Sequence, residues 1–160
     1  MKVGKKMIHF SELVISFLAG KLICQYQLDK KIFYIEERAD RNARLINVFY
    51  LWMKQKQNEK HISLFLKDKG FYKVAIYGMH FLGECLYDEL KETDITVLYG
   101  IDKNVTKITS DLRIMLPTDK LEEADAVIVT PVFYFNEIER QMSQKISCPI
   151  ISLEDILENL

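Results

Sequence analysis

The sequence predicts an α/β fold in which a doubly wound parallel sheet of about five strands follows an N-terminal helical arm. Three observations carry this prediction. From Phe10 to Met53 apolar residues recur at three- and four-residue steps, the period of an α-helix. From residue 71 on, short apolar runs alternate with amphipathic stretches, as strands and helices do in parallel sheets. The first of those runs, Val74–Tyr77, leads straight into Gly78, a residue suited to a tight strand-to-helix turn.

Taken in order, Phe10, Leu13, Val14, Phe17, Leu18 and Leu22 mark one apolar stripe of a first helix. Leu28-Asp29-Lys30 predicts a break, with Asp29 able to cap the next helix. Residues 31–57 predict that second helix. In it Ile32, Ile35, Ala39, Asn42, Ile46, Phe49 and Met53 occupy alternating steps like heptad a and d positions. Leu45, Val48 and Trp52 form a second stripe beside them. A helix with two apolar stripes touches two neighbours, so residues 1–70 read as either a helical hairpin or a pair of dimerisation helices. Asn42 is the polar position that could fix a register. Ile62, Phe65 and Leu66 predict a third, short helix ending near Gly70. The domain boundary is expected near residue 70, with a nucleotide-binding domain over 71–160.

In that domain Val74–Tyr77 and Ile95–Ile101 predict the first two strands, with a helix over 81–91 between them. Its Leu82, Cys85, Leu86 and Leu90 are expected to face the sheet. Leu112–Leu116 predicts a third strand, and Thr118 a cap for a short helix through Leu121. Ala126–Thr130 is a continuous apolar run, the mark of a strand buried on both faces. Phe135–Met142 predicts a helix, Pro149–Ser152 a last strand, and Ser152-Leu-Glu-Asp the capped start of a terminal helix.

The net charge of −1 conceals an asymmetry. Residues 1–70 hold 14 Lys and Arg against 7 Asp and Glu, while residues 71–160 hold 8 against 16. The acidic α/β half carries no nucleic-acid recognition motif, which disfavours nucleic acid as a partner. Cys24, Cys85 and Cys148 are odd in number and have no C-x-x-C spacing, so reduced thiols and a cytoplasmic setting are expected. The uncharged stretch Leu13–Gly20 spans only ~12 Å as a helix, so no membrane span is expected.

The chemistry-bearing residues cluster at strand ends. Gly78 and Gly83 stand as the first and third glycines of a G-x-G-x-x-G turn, with Met79 and His80 between them. This is the layout of a mononucleotide-binding half of a Rossmann-type fold, whose helix N-terminus favours phosphate. His80 occupies the middle glycine position, where it adds bulk and, protonated, a partner for phosphate. Asp102 ends the second strand, 24 residues after Gly78, where dinucleotide binders place the acid that accepts from ribose hydroxyls. Lys103 beside it would tolerate extra negative charge. Thr130 ends the buried strand at the carboxyl edge, and Phe133, Tyr134 and Phe135 come next as a cover, a stacking surface or an interface. Cofactor contacts are therefore expected at Gly78, Met79, His80, Gly83, Asp102, Lys103 and Thr130, with NAD or another nucleotide as ligand. No metal cluster, nucleophile elbow, P-loop or Tyr-x-x-x-Lys is present in the sequence, and no catalytic residue is assigned.

The runs Lys73-Val-Ala-Ile-Tyr-Gly-Met-His-Phe-Leu-Gly-Glu-Cys-Leu and Leu98-Tyr-Gly-Ile-Asp-Lys-Asn resemble small Rossmann-like domains of bacterial surface-polysaccharide gene clusters. Asp125-Ala-Val-Ile-Val-Thr, Cys148-Pro-Ile-Ile-Ser-Leu-Glu-Asp-Ile and Trp52-Met-Lys-Gln-Lys-Gln fit the same pattern, so the resemblance covers about residues 45–160. The chain is also similar to the C-terminal domain of sugar C-methyltransferases and to the nucleotide-binding domain preceding sugar dehydratases. The family pattern usually has glycine where His80 stands. The resemblance implies a setting, polysaccharide assembly beside glycosyltransferases, more than an activity. Three readings are open: an accessory nucleotide- or nucleotide-sugar-binding module; a scaffold docking a glycosyltransferase through its helical arm; or a small NAD-dependent oxidoreductase. The last lacks a recognisable acid–base pair and a substrate domain.

Overall fold

A computed structural model of the chain describes residues 2–108 and 110–160, and the side chains of all of these except residues 2–15 and 107. The chain divides into two compact units, residues 1–43 and 44–160. One helix, α1 (Lys2–Gln57), opens the fold. It is followed by α2 (Ile62–Asp68), β1 (Lys73–Tyr77), α3 (Phe81–Leu90), β2 (Thr96–Ile101) and β3 (Ile114–Met115). Then come β4 (Ala126–Val129), α4 (Phe135–Met142), β5 (Ile150–Ser152) and α5 (Leu153–Glu158).

The expected break at Leu28-Asp29-Lys30 does not occur: α1 runs through it. No Gly or Pro lies between residues 21 and 69, and a single Asp inside a helix costs under ~1 kcal/mol, too little to end it. With no break there, the helical-hairpin reading of the arm loses its turn. In the first unit Phe17, Leu22, Tyr26 and Ile35 are all more than half exposed. The Phe10, Leu13 and Val14 part of the first stripe lies outside the described side chains.

In the second unit all five strands are parallel, in the order β3-β2-β1-β4-β5. The order reverses between β1 and β4, the place where open α/β sheets hold their ligands. The doubly wound prediction is what the structure shows. Successive residues of β1 point to opposite faces. Val74 and Ile76 join a core built with Val48, Trp52, Ile62, Leu82, Leu86, Leu90 and Ile156. Ala75 and Tyr77 join a second core with Tyr99, Val129, Ile138 and Met142. So α2, α3, α5 and the last turns of α1 cover one face, and α4 covers the other. The stripe Leu45, Val48, Trp52 is the face of α1 that packs in this unit, while Ile46, Tyr50 and Met53 on the same turns stay exposed.

Polar ties hold the helical layer. The carboxylate of Glu89, 6% exposed, accepts from Trp52 Nε1 at 2.7 Å and from the Ile62 amide at 3.2 Å, and pairs with Lys56 Nζ at 2.9 Å. Arg44 forks onto Glu154 Oε2 at 2.9 and 2.6 Å, fixing α5, whose first turn Ser152 caps.

Two further expectations need correction. No helix forms at Thr118–Leu121. Asp119 closes a turn there instead, its carboxylate accepting from the Leu116 amide at 2.8 Å. Cys85 is exposed rather than packed on the sheet, because Leu82, Leu86 and Leu90 already fill the buried side of α3. No helix among the described residues is long and apolar enough to cross a membrane.

Candidate functional site

The carboxyl edge of the sheet is shaped by what glycine permits. Gly78 leaves β1 with φ +92°, a conformation that costs a side-chain-bearing residue about 1–2 kcal/mol. A Cβ there would also meet the Pro131 ring at 2.5 Å. Gly83, in the first turn of α3, is held against the same turn: a Cβ on it would lie 2.1 Å from the Gly78 carbonyl oxygen. That oxygen is pinned, accepting from Thr130 Oγ1 at 2.6 Å. The turn after β1 is thus clamped between the end of β4 and the start of α3. Thr130 acts as the clamp: it is buried and its hydroxyl is turned to backbone carbonyls.

Asp102 spans the gap from β2. Its Oδ2 accepts from the Met79 amide at 3.0 Å and its Oδ1 from the Asn104 amide at 2.8 Å. The Met79 amide, one of those a phosphate would be expected to use, is therefore already donated. Each carboxylate oxygen can accept more than one hydrogen bond, so Asp102 keeps acceptor capacity for a ligand hydroxyl. Met79 turns its side chain inward beneath Gly100, where a Cβ would meet Met79 Cγ at 2.5 Å.

Gly78, Asp102 and Pro131 form a ridge with a hollow on each side. On the α4 side lies a crevice of about 280 Å³, lined with Tyr77, Lys103, Asn104, Tyr134 and Glu137 in addition to the ridge. On the α3 side lies a smaller one of about 180 Å³, whose walls include His80, Phe81 and Thr130. The residues expected to act together are therefore divided. Lys103 belongs to the first hollow and His80 to the second. The His80 ring is exposed and stands edge-on to Phe81, with centroids 4.1 Å apart. The amides of the first turn of α3 have no intrahelical acceptors, and they sit at this second hollow.

A dinucleotide needs one continuous groove and a bare backbone where its pyrophosphate crosses. The side chain at His80 works against the second, and the two hollows meet along Gly78, Asp102 and Pro131.

Two titratable residues of the larger hollow were not singled out in the sequence. Tyr77 is 4% exposed, and its hydroxyl has no hydrogen-bond partner among the described residues. Glu137, on α4, is exposed at the rim. Burial, followed by the charges of Asp102 and Glu137, raises the Tyr77 hydroxyl pKa, so this group stays protonated and is a donor. Of the aromatic cluster, Tyr134 lines the crevice, and Phe133 packs edge-on against it at 5.3 Å. The thiols hold no position here. Burial, then Asp88 and Glu84, push the Cys85 pKa up, which disfavours the reactive thiolate. Among the described residues no group of His, Cys, Asp and Glu is arranged to hold a metal ion.

Comparison with protein-family models, with curated proteins and with solved structures returned no match.

Proposed function

We propose that the chain is an accessory nucleotide- or nucleotide-sugar-binding module, acting beside the glycosyltransferases of bacterial surface-polysaccharide assembly. The observation that carries the binding reading is the pair of hollows on the Gly78–Asp102–Pro131 ridge, at the switch point of a doubly wound sheet. In this reading the phosphate lies against the first turn of α3, with His80 as its side-chain partner. The nucleoside lies on the other side of the ridge, where Asp102 accepts from a hydroxyl, Lys103 stands at the mouth and Tyr134 offers its ring to a base. Gly78 and Thr130 form part of the walls, Gly83 shapes the turn, and Met79 supports it from below. The polysaccharide setting rests on the sequence resemblance alone.

The test is calorimetric titration of wild type and Asp102→Asn with UDP, CDP, AMP and NAD. Asparagine keeps one acceptor for the turn and removes the charge. Micromolar binding of a mononucleotide, weakened about tenfold or more by Asp102→Asn, supports the reading. NAD bound more tightly than any mononucleotide would reject the single-unit fit.

A second element of the proposal is a homodimer through the N-terminal helix. Within the first unit Leu28, Ile32 and Ile35 are exposed along one stripe of α1. Asp29 and Glu36 follow its d positions, and Lys31 and Arg38 precede its a positions. That places acid at every e and base at every g of the stretch. Parallel pairing brings Lys31 of one copy to Glu36 of the other, whereas antiparallel pairing sets like against like. The charges therefore select a parallel pair, in which Asn42 meets its own copy. Glu36→Lys is expected to weaken dimerisation by about 5–30-fold, from two pairs each changing by about 0.5–1 kcal/mol. Lys31→Glu combined with Glu36→Lys should restore it. Light scattering that shows a monomer at every concentration, or a Glu36→Lys variant that dimerises like wild type, contradicts the pairing.

A further inference from the structure

Two buried tyrosines sit on the same face of the sheet and differ in one respect. Tyr99 is fully buried, and its hydroxyl donates to the Glu122 carbonyl at 2.6 Å. Tyr77 is equally enclosed, yet its hydroxyl oxygen has no partner among the described residues. Burying a hydroxyl without an acceptor costs about 1–3 kcal/mol, so such groups are uncommon in folded chains. Phenylalanine would fill the same space on this face at no such cost. Tyr77 belongs to the core and also lines the larger hollow from the end of β1. Its hydroxyl is closed to solvent in the free protein and lies within the influence of the Asp102 and Glu137 carboxylates, so a ligand reaches it only by displacing the side chains that cover it.

The neighbours define what the hollow accepts. Asp102 and Glu137 are carboxylates on its walls, and Lys103 is its one cation among the described residues. Glu137 Oε1 accepts from Gln141 Nε2 at 2.9 Å, which leaves acceptor capacity on both its oxygens. Two carboxylates and a phenol disfavour phosphate. They match a group that both donates and accepts hydrogen bonds and carries no charge, as a ring bearing several hydroxyls does.

We propose that Tyr77 and Glu137 make the α4 side of the crevice a hydroxyl-reading subsite. There the phenol donates to a ligand oxygen and Glu137 accepts from a ligand hydroxyl, so the part of the ligand bound on this side is a ribose or other sugar ring. The proposal rests on the nucleotide-binding reading and its orientation, and adds two residues that read the sugar. Tyr77 is thereby a binding residue whose unpaired state in the free protein is a cost retained for the ligand.

Tyr77→Phe tests this with two readouts of opposite sign. Without ligand, removing an unsatisfied buried hydroxyl should raise Tm by about 2–8 °C. With ligand, the same variant should bind UMP or AMP, and the nucleosides uridine or adenosine, about 3–10-fold more weakly. Glu137→Gln should weaken the nucleosides similarly while leaving the free protein's Tm nearly unchanged. The response to inorganic phosphate, bound on the α3 side, should be the same in all three proteins. Wild-type binding that Tyr77→Phe and Glu137→Gln leave unchanged overturns the subsite and spares the nucleotide reading. So does a fall in Tm for the ligand-free Tyr77→Phe protein. Absence of wild-type binding to every one of these probes overturns both.

Discussion

Gly83→Ala is expected to destabilise the second unit by about 3 kcal/mol or more, enough to move a urea midpoint far below wild type. The added methyl would stand 2.1 Å from the Gly78 carbonyl oxygen and 3.0 Å from its carbon. Neither atom is free to yield. The oxygen is held by Thr130 Oγ1, and the Gly78 amide donates to the Ile101 carbonyl at 2.8 Å. Relief requires α3 to lift from the sheet, which exposes Leu82, Leu86 and Leu90, all buried on that face. Overpacking a well-filled core costs about 1–3 kcal/mol when side chains can adjust, and a clash with fixed backbone lies at or beyond the upper end. Gly20→Ala supplies the control. Nothing lies within 4 Å of a Cβ there, and the residue sits inside α1. That substitution should strengthen the helix by about 1 kcal/mol, seen as increased helical circular dichroism. A Gly83→Ala protein as stable as wild type would mean that the turn after β1 is not packed as described.

A second large loss of stability is expected at Glu89. Glu89→Ala should cost about 3–5 kcal/mol in equilibrium unfolding, the range for breaking a buried charged pair from one side. Three donors converge on this carboxylate: the Trp52 indole, the Ile62 amide and the Lys56 ammonium. Lys56 is half-exposed and regains water, whereas Trp52 is buried and its N–H would lose its acceptor. The residue therefore joins α1, α2 and α3 rather than serving a ligand. Glu89→Gln should recover part of the loss, because an amide oxygen can still accept from Trp52. A loss below about 1 kcal/mol for Glu89→Ala would show the three bonds to be dispensable.

Much of the fold was legible because its signals are local. Alternating runs after residue 70 named every strand of the sheet, and Gly78 marked the turn that the switch point is built on. The errors came where local chemistry was overruled. Asp29 looked like a cap, but with no Gly or Pro from residue 21 to 69 the helix passes through one unfavourable residue. Cys85 looked buried by its spacing, but the stripe of three leucines beside it was wide enough to cover the sheet. Glu89 was invisible for the opposite reason. On a helical wheel it falls one heptad after Leu82, at the edge of the apolar stripe, where a charged residue reads as exposed; only the donors of α1 and α2 make that edge interior. Tyr77 could not be separated from Tyr99 by sequence, since both end or interrupt apolar strand runs; an absent hydrogen-bond partner is a three-dimensional fact. His80 and Lys103 were read as one site; the structure puts them in two adjoining hollows that share Gly78, Asp102 and Pro131, and Pro131 comes from the far end of β4, a part of the chain remote from both.

Whether the divided crevice binds one nucleotide unit is decided by thermal unfolding of the wild-type chain with and without UDP, CDP, AMP, S-adenosylmethionine and NAD. A ligand at 100 times its dissociation constant stabilises the protein that binds it by about 2.7 kcal/mol, a shift of several degrees for a chain of this size. We expect such a shift for at least one mononucleotide and a smaller one for NAD. An unfolding curve that none of the five compounds moves at millimolar concentration would contradict nucleotide binding, and would leave the ridge as a packed turn with no ligand.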